Sequence, residues 1–137
     1  MSLEINSEKS IRPGLNAEIE ITVSETETAM HLSSGLVPVY ATPALVALME
    51  NAAVRALEGH LSEGQTTVGG QIDVRHLAAT PVGMKVRAHA ELVEVSGRKL
   101  TFTIQAWDGT ERIGEASHVR FLIDTDKFMA KVGEKGK

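Results

Sequence analysis

Three side chains are of types that do chemistry and sit where their neighbours give them little other reason to be: Glu50, His76 and Thr42. Glu50 lies in a helix-like run whose residues three and four positions away are Val46, Ala47, Ala53 and Val54, all apolar. A carboxylate in such surroundings must find donors, accept a raised pKa or face a cavity. Pairing with a nearby arginine or with strand amides would make it structural. Facing a cavity would make it an acid, a base or a nucleophile. His76 repeats the anomaly in a strand: period-two counting puts it on the inward face of Ile72 and Val74, where the plain reading is a core histidine bonded to a backbone carbonyl. Should an inward carboxylate and an inward imidazole meet, they would form an acid/base pair in an apolar pocket. Thr42 precedes Pro43 at the head of the helical run and reads as its N-cap. A hydroxyl there also stands beside free N–H groups and the positive end of the helix dipole, where a polarised carbonyl or developing oxyanion is favoured.

The elements that must hold these residues follow from periodicity. Ala17 to Thr26 alternates Ile19, Ile21 and Val23 with Glu18, Glu20 and Thr22, a half-buried strand. The loop after it is unusually apolar for a connection, with Leu36 and Tyr40 among its large residues, and is expected to cover a ligand pocket. The helix runs from Thr42 to near Gly59, apolar over most of its circumference, with only Asn51, Arg55 and Glu58 requiring water. Four extended segments follow, from about Thr67 to Ala78, Met84 to Val95, Leu100 to Trp107 and Arg112 to Ile123, with hairpin signals at Ser96-Gly97 and Asp108-Gly109. The tail around Phe128, Met129 and Val132 is expected to add one or two helical turns. Strand, helix and four strands in a single domain over residues 1–137 read as α+β, with a curved antiparallel sheet wrapped around one long central helix. Gly69-Gly70, at the head of the His76 strand, signals a bulge or turn and permits close backbone approach of a ligand. His31, His60, His89 and His118 read as structural or exposed.

Composition narrows the function classes. The 137 residues carry 42% hydrophobic and 23% charged residues, a globular balance with room for one core. A net charge of −4 offers no general attraction to nucleic acid, and no local basic patch compensates. The absence of cysteine removes disulfides, thiol nucleophiles and cysteine-ligated metal sites. No histidine or carboxylate spacing suggests a metal site, and no glycine-rich phosphate loop or nucleophile elbow is present. The polar start lacks the apolar centre of a secretory signal, and the most apolar stretch, Ala41 to Leu57, is broken by Glu50, Asn51 and Arg55. A cytoplasmic location with no membrane partner is the expectation.

Ala41-Thr42, Leu48-Met49-Glu50, Val54-Arg55-Ala56, the strand end His76-Leu-Ala-Ala-Thr-Pro81, Gly97-Arg98, Asp108-Gly109, Ile113-Gly114 and the tail Lys127-Phe128-Met129-Ala130-Lys131-Val132 together resemble the fluoroacetyl-CoA thioesterase-like family of hotdog-fold proteins. The resemblance implies a hotdog fold, a homodimer or dimer of dimers, and hydrolysis of a short acyl-CoA, with CoA as part of the substrate and no metal or other cofactor. The family's catalytic threonine, glutamate and histidine would fall on Thr42, Glu50 and His76. Its backbone contact to the thioester would fall on Gly69, with Leu36 and Tyr40 as further substrate contacts. It does not imply fluoroacetate as the acyl group, because the phenylalanines that close over fluoroacetate in the specific enzyme have no counterpart between His31 and Thr42. The alternatives are an acyl-CoA or small-acid binding protein without turnover and, less well fitted, a hotdog hydratase.

Overall fold

The computed structural model describes residues 11–137, so the polar opening segment, residues 1 to 10, lies outside the described residues. Alternation of apolar and polar residues forms five strands: β1 (Asn16–Thr22), β2 (Gln65–His76), β3 (Lys85–Ser96), β4 (Lys99–Trp107) and β5 (Arg112–Asp124). They make one antiparallel sheet in the order β1-β3-β4-β5-β2, which leaves β1 and β2 as its edges. The helix α1 (Thr42–Ala56) packs into the concave face, chiefly over β1 and β3. This is the expected hotdog arrangement.

The core is a contact between one face of α1 and one face of the sheet. Leu45, Leu48, Met49, Ala52, Ala53 and Ala56 meet Val86, Ala88, Ala90 and Leu92 of β3 and Phe102, Ile104 and Ala106 of β4, all buried. Each large side chain removed from water here contributes about 1.5–3 kcal/mol. Small residues let the helix approach: a Cβ on Gly114 would lie 2.9 Å from Leu45 Cδ2 and 3.0 Å from Met49 Cε. The opposite face of the sheet is polar and carries ion pairs between Arg87 and Glu18 and between Lys85 and Glu20.

Several elements differ from the sequence reading. The helix is covered on one side only: Ala47 and Val54 are exposed with Asn51 and Arg55, so its apolar circumference does not correspond to enclosure within the chain. The first strand stops at Thr22 because Ser24 and Glu27 close a capping box, turning Glu25–Glu27 into a 3-10 turn. The Asp108-Gly109 connection is a four-residue loop, where Asp108 Oδ1 accepts the N–H groups of Thr110 and Glu111. The tail forms a longer helix than expected, α2 (Thr125–Lys135), with no fully buried residue. The loop after β1 is bridged at its base, Thr28 to Tyr40 and Val39 to Pro81, while Leu36 projects into solvent, 93% exposed.

Overfilling the tight contact at Gly114 should be felt throughout the fold. Gly114→Val is expected to destabilise by about 1–3 kcal/mol through overpacking against Leu45 and Met49. The check is a lower midpoint in urea unfolding with an unchanged slope.

Candidate active site

At the N-terminus of α1 the first intrahelical bond runs from Leu45 N–H to the Ala41 carbonyl, so Ala41 is the N-cap and Thr42 the first helical residue. This corrects the reading of Thr42 as a capping side chain. Its hydroxyl instead shares a 2.7 Å hydrogen bond with His76 Nδ1. The N–H groups of Thr42 and Ala44 stand outside the helical ladder, beside that hydroxyl. Thr42 and His76 line a cavity of about 350 Å³ together with Val39, Tyr40 and Ala78. Tyr40 is a buried wall of it, its hydroxyl donating to the Ala44 carbonyl. Leu36 is not among the lining residues. The other ring nitrogen, His76 Nε2, is buried without a hydrogen-bond partner in the chain. Burial lowers the pKa of this imidazole, opposed more weakly by the Ala78 backbone.

Glu50, two turns further along α1, belongs to a second cluster. Its Oε2 is 3.7 Å from Arg120 Nη1, and 41% of the Glu50 side chain remains exposed while that of Arg120 is 8% exposed. Arg120 is held from behind: Nε donates to Thr67 Oγ1 at 2.9 Å, Nη2 to the Thr67 carbonyl at 3.1 Å, and Nη1 faces His118 Nε2 at 3.2 Å. The apolar surroundings expected for Glu50 are therefore corrected: an arginine waits there, as the pairing alternative required. Gly69 lies beneath the carboxylate, so close that a Cβ would stand 2.8 Å from Glu50 Oε2.

A bulge in β2 decides which residues face this space. Gly69 pairs with Arg120, Gln71 with Val119 and His76 with Gly114, so Gly70 is an extra residue on the β2 side. Seven positions separate Gly69 from His76, which in an unbroken strand would put them on opposite faces. The bulge shifts the alternation by one, and both face the concave side with Thr67, Ile72 and Val74. A Cβ at Gly70 would run into the Phe121 ring, which would have to move aside.

Within one chain the two clusters stay apart. Thr42 and Glu50 are eight residues apart on one helix, about 12 Å along its axis. The expected meeting of Glu50 with His76 does not occur inside a protomer: His76 bonds Thr42, and Glu50 faces Arg120. His118 and Arg120 are the site residues that sequence reasoning missed. His118 is fully buried, so of its two readings, structural or exposed, the exposed one is excluded. The available signal was period two on β5, which groups Gly114, Ala116, His118 and Arg120 on the inward face.

The chain can also be compared with known proteins. Residues 23–126 match the family FlK, fluoroacetyl-CoA-specific thioesterase. A curated fluoroacetyl-CoA thioesterase from Streptantibioticus cattleyicolor is 45% identical over 97 residues, 71% of this chain and 70% of that protein. A solved structure of the fluoroacetyl-CoA thioesterase FlK superposes with a TM-score of 0.86 at 38% identity, covering 92% of this chain and 98% of that one. A thioesterase superfamily member from Thermus thermophilus gives a TM-score of 0.86 at 26% identity, covering 93% and 95%.

The buried imidazoles couple stability to pH. Both His76 and His118 have pKa values held below the ordinary 6.5 mainly by burial. Between that value and their lower folded values the unfolded chain binds more protons, so stability falls as pH falls. The melting temperature should be level just above neutrality and decline as the pH falls below 6.5, with a shallower decline in His118→Asn. A melting temperature that rises on acidification through this window would contradict the assignment.

Proposed function

The chain belongs to the fluoroacetyl-CoA-specific thioesterase family and is a thioester hydrolase, and we propose that it hydrolyses a short-chain acyl-CoA in a site that two copies of the chain build together. One observation carries this reading: the groups suited to the chemistry form two clusters in a protomer, Thr42 with His76 and Glu50 with Gly69, too far apart to act on one carbonyl carbon. Both flank the same edge. β2 is twelve residues long and hydrogen-bonded to β5 on one side only, and an exposed edge of that length favours pairing with a second copy. Antiparallel pairing about a two-fold between Ile72 and Asp73 would set Gly69 of one protomer opposite His76 of the partner subunit. Glu50, above Gly69, would then face the hydroxyl and imidazole it does not reach in its own chain.

In that composite site each group has a role. The Thr42 hydroxyl and the free N–H groups beside it polarise the thioester carbonyl. Glu50 either attacks the carbonyl carbon, forming an acyl-glutamyl anhydride that water then opens, or takes a proton from the water that attacks directly. His76, neutral at rest, relays to the departing CoA sulfur a proton that the attacking or anhydride-opening water restores. Arg120 holds the carboxylate for either route. Gly69 leaves room for the acyl group close to the backbone, Tyr40 walls the cavity, and Leu36 stands on the exposed loop above it.

Complementation between inactive variants tests the shared site. Glu50→Gln and His76→Ala alone should each lose roughly two orders of magnitude in thiol release from acetyl-CoA. After the two are mixed and their subunits exchanged, about a quarter of the sites should be intact and activity should return to that level. No recovery, with mixed dimers shown to form, would place all the groups in one chain.

Acyl selectivity follows from the loop. Between Thr28 and Ala41 there is no phenylalanine to enclose a small acyl group. The ratio of kcat/KM for fluoroacetyl-CoA over acetyl-CoA should therefore stay within about tenfold, since one small substituent in an open pocket discriminates weakly. A ratio of several orders of magnitude would show that other residues select the fluorine.

A further inference from the structure

The buried pair behind Glu50 has more structure than an ion pair needs. His118 Nδ1 lies 2.8 Å from the Gln71 carbonyl, which can only accept, so Nδ1 carries the proton. In a neutral ring Nε2 is then an acceptor, and it faces Arg120 Nη1, which can only donate, at 3.2 Å. Thr67 accepts from Nε and Nη2 of the same guanidinium through its hydroxyl and its carbonyl. Three neutral acceptors on two strands thus fix the plane of a buried cation, and its remaining direction is toward Glu50 Oε2.

Resting on the assignment of Glu50 to the chemistry, we propose that His118 is a positioning residue: locked in its Nδ1–H tautomer by Gln71, it turns Arg120 so that the guanidinium orients the Glu50 carboxylate over Gly69. The geometry explains why an imidazole is used. An aliphatic residue would leave one Nη1 N–H without the acceptor that His118 supplies, and a cationic side chain would repel the guanidinium. Burial and the Arg120 charge both disfavour the imidazolium form, while the Gln71 carbonyl and Glu50 act the other way. The Phe102 ring, 6.2 Å away between centroids, packs against the imidazole. Among the described residues, the fully buried histidine and the nearly buried arginine thus share one function, presenting a carboxylate that is itself open to the pocket.

Two amide substitutions separate this role from a merely structural one. In His118→Asn the side-chain N–H sits near the position of Nδ1, keeping the Gln71 bond and removing the acceptor for Arg120. In His118→Gln the amide oxygen reaches the position of Nε2, keeping the acceptor and losing the Gln71 bond. With acetyl-CoA as probe, kcat of His118→Asn should fall roughly ten- to a hundredfold with KM nearly unchanged, as misplacement of a reacting group by a fraction of an ångström to 1 Å would give. His118→Gln should stay within about threefold of wild type. In a Glu50→Gln background His118→Asn should cost nothing further, because there is no carboxylate left to orient. Should His118→Asn fail to fold, as judged by circular dichroism, Thr67→Val replaces it: the shape is kept, one Arg120 acceptor is lost, and kcat should fall by several-fold. Equal or better turnover in His118→Asn than in His118→Gln, or the same loss with and without Glu50, would overturn the inference. A fully active Glu50→Gln would overturn the role of Glu50 and this inference with it. An inactive Glu50→Gln beside an unaffected His118→Asn overturns the inference alone.

Discussion

A rigid helix cannot bring its first residue and its ninth to one point, and the rest of the structure is arranged around that constraint. Thr42 opens α1 and Glu50 lies two turns on, their separation fixed by the helical rise and by the packing of Leu45, Leu48, Met49 and Ala52 against the sheet. The sheet answers with an edge strand that has one residue for each of the two positions on the helix. His76, at the C-terminal end of β2, bonds Thr42, and Gly69, seven residues earlier, lies beneath Glu50. Each protomer therefore holds two clusters of reactive side chains at a fixed spacing along a strand that is hydrogen-bonded to β5 on one side only.

The electrostatics of the two clusters differ. At the Thr42 end there is no formal charge: a hydroxyl, a histidine with a lowered pKa and the first N–H groups of a helix offer dipoles suited to a carbonyl that becomes negative during reaction. At the Glu50 end a full negative charge meets a full positive one, and the positive charge is the buried member. Desolvating a guanidinium is expensive unless its donors are matched. Thr67, its carbonyl and His118 match three of them, so the fold spends its buried polar contacts on keeping Arg120 in place rather than Glu50. The carboxylate is left partly solvated and able to engage a substrate.

Much of this was legible in the chain. Period-two counting put His76 on the face of Ile72 and Val74, and that is where the register with β5 places it. The helix, the four strands after it and the hairpin at Gly97 followed from local pattern alone, because each is decided by residues close in sequence. What could not be read depends on distant partners. The apolar circumference of α1 suggested enclosure because the pattern cannot say whether covering surface comes from the same chain. Arg120 as the partner of Glu50 is seventy positions away, and His118 lay in a strand whose facing was obscured by Gly114. Thr42 fits the sequence preferences of a cap, yet the backbone begins the helix one residue earlier and frees the hydroxyl for His76.

The bulge at Gly70 gives β2 two reading frames. Upstream of it odd-numbered residues such as Thr67 and Gly69 turn toward the helix, and downstream even-numbered ones such as Ile72, Val74 and His76 do so. Without Gly70 the ladder to β5 would close with Gly69 and Gln71 as neighbours, and both halves of the strand would keep their facing. A residue lost elsewhere in β2 is the structural counterpart of a frameshift, because with the bulge kept one half of the strand would turn its back on the pocket. Tolerance of a single-residue change in β2 is therefore concentrated at the bulge, whereas the loop around Leu36 can change length and keep its ends.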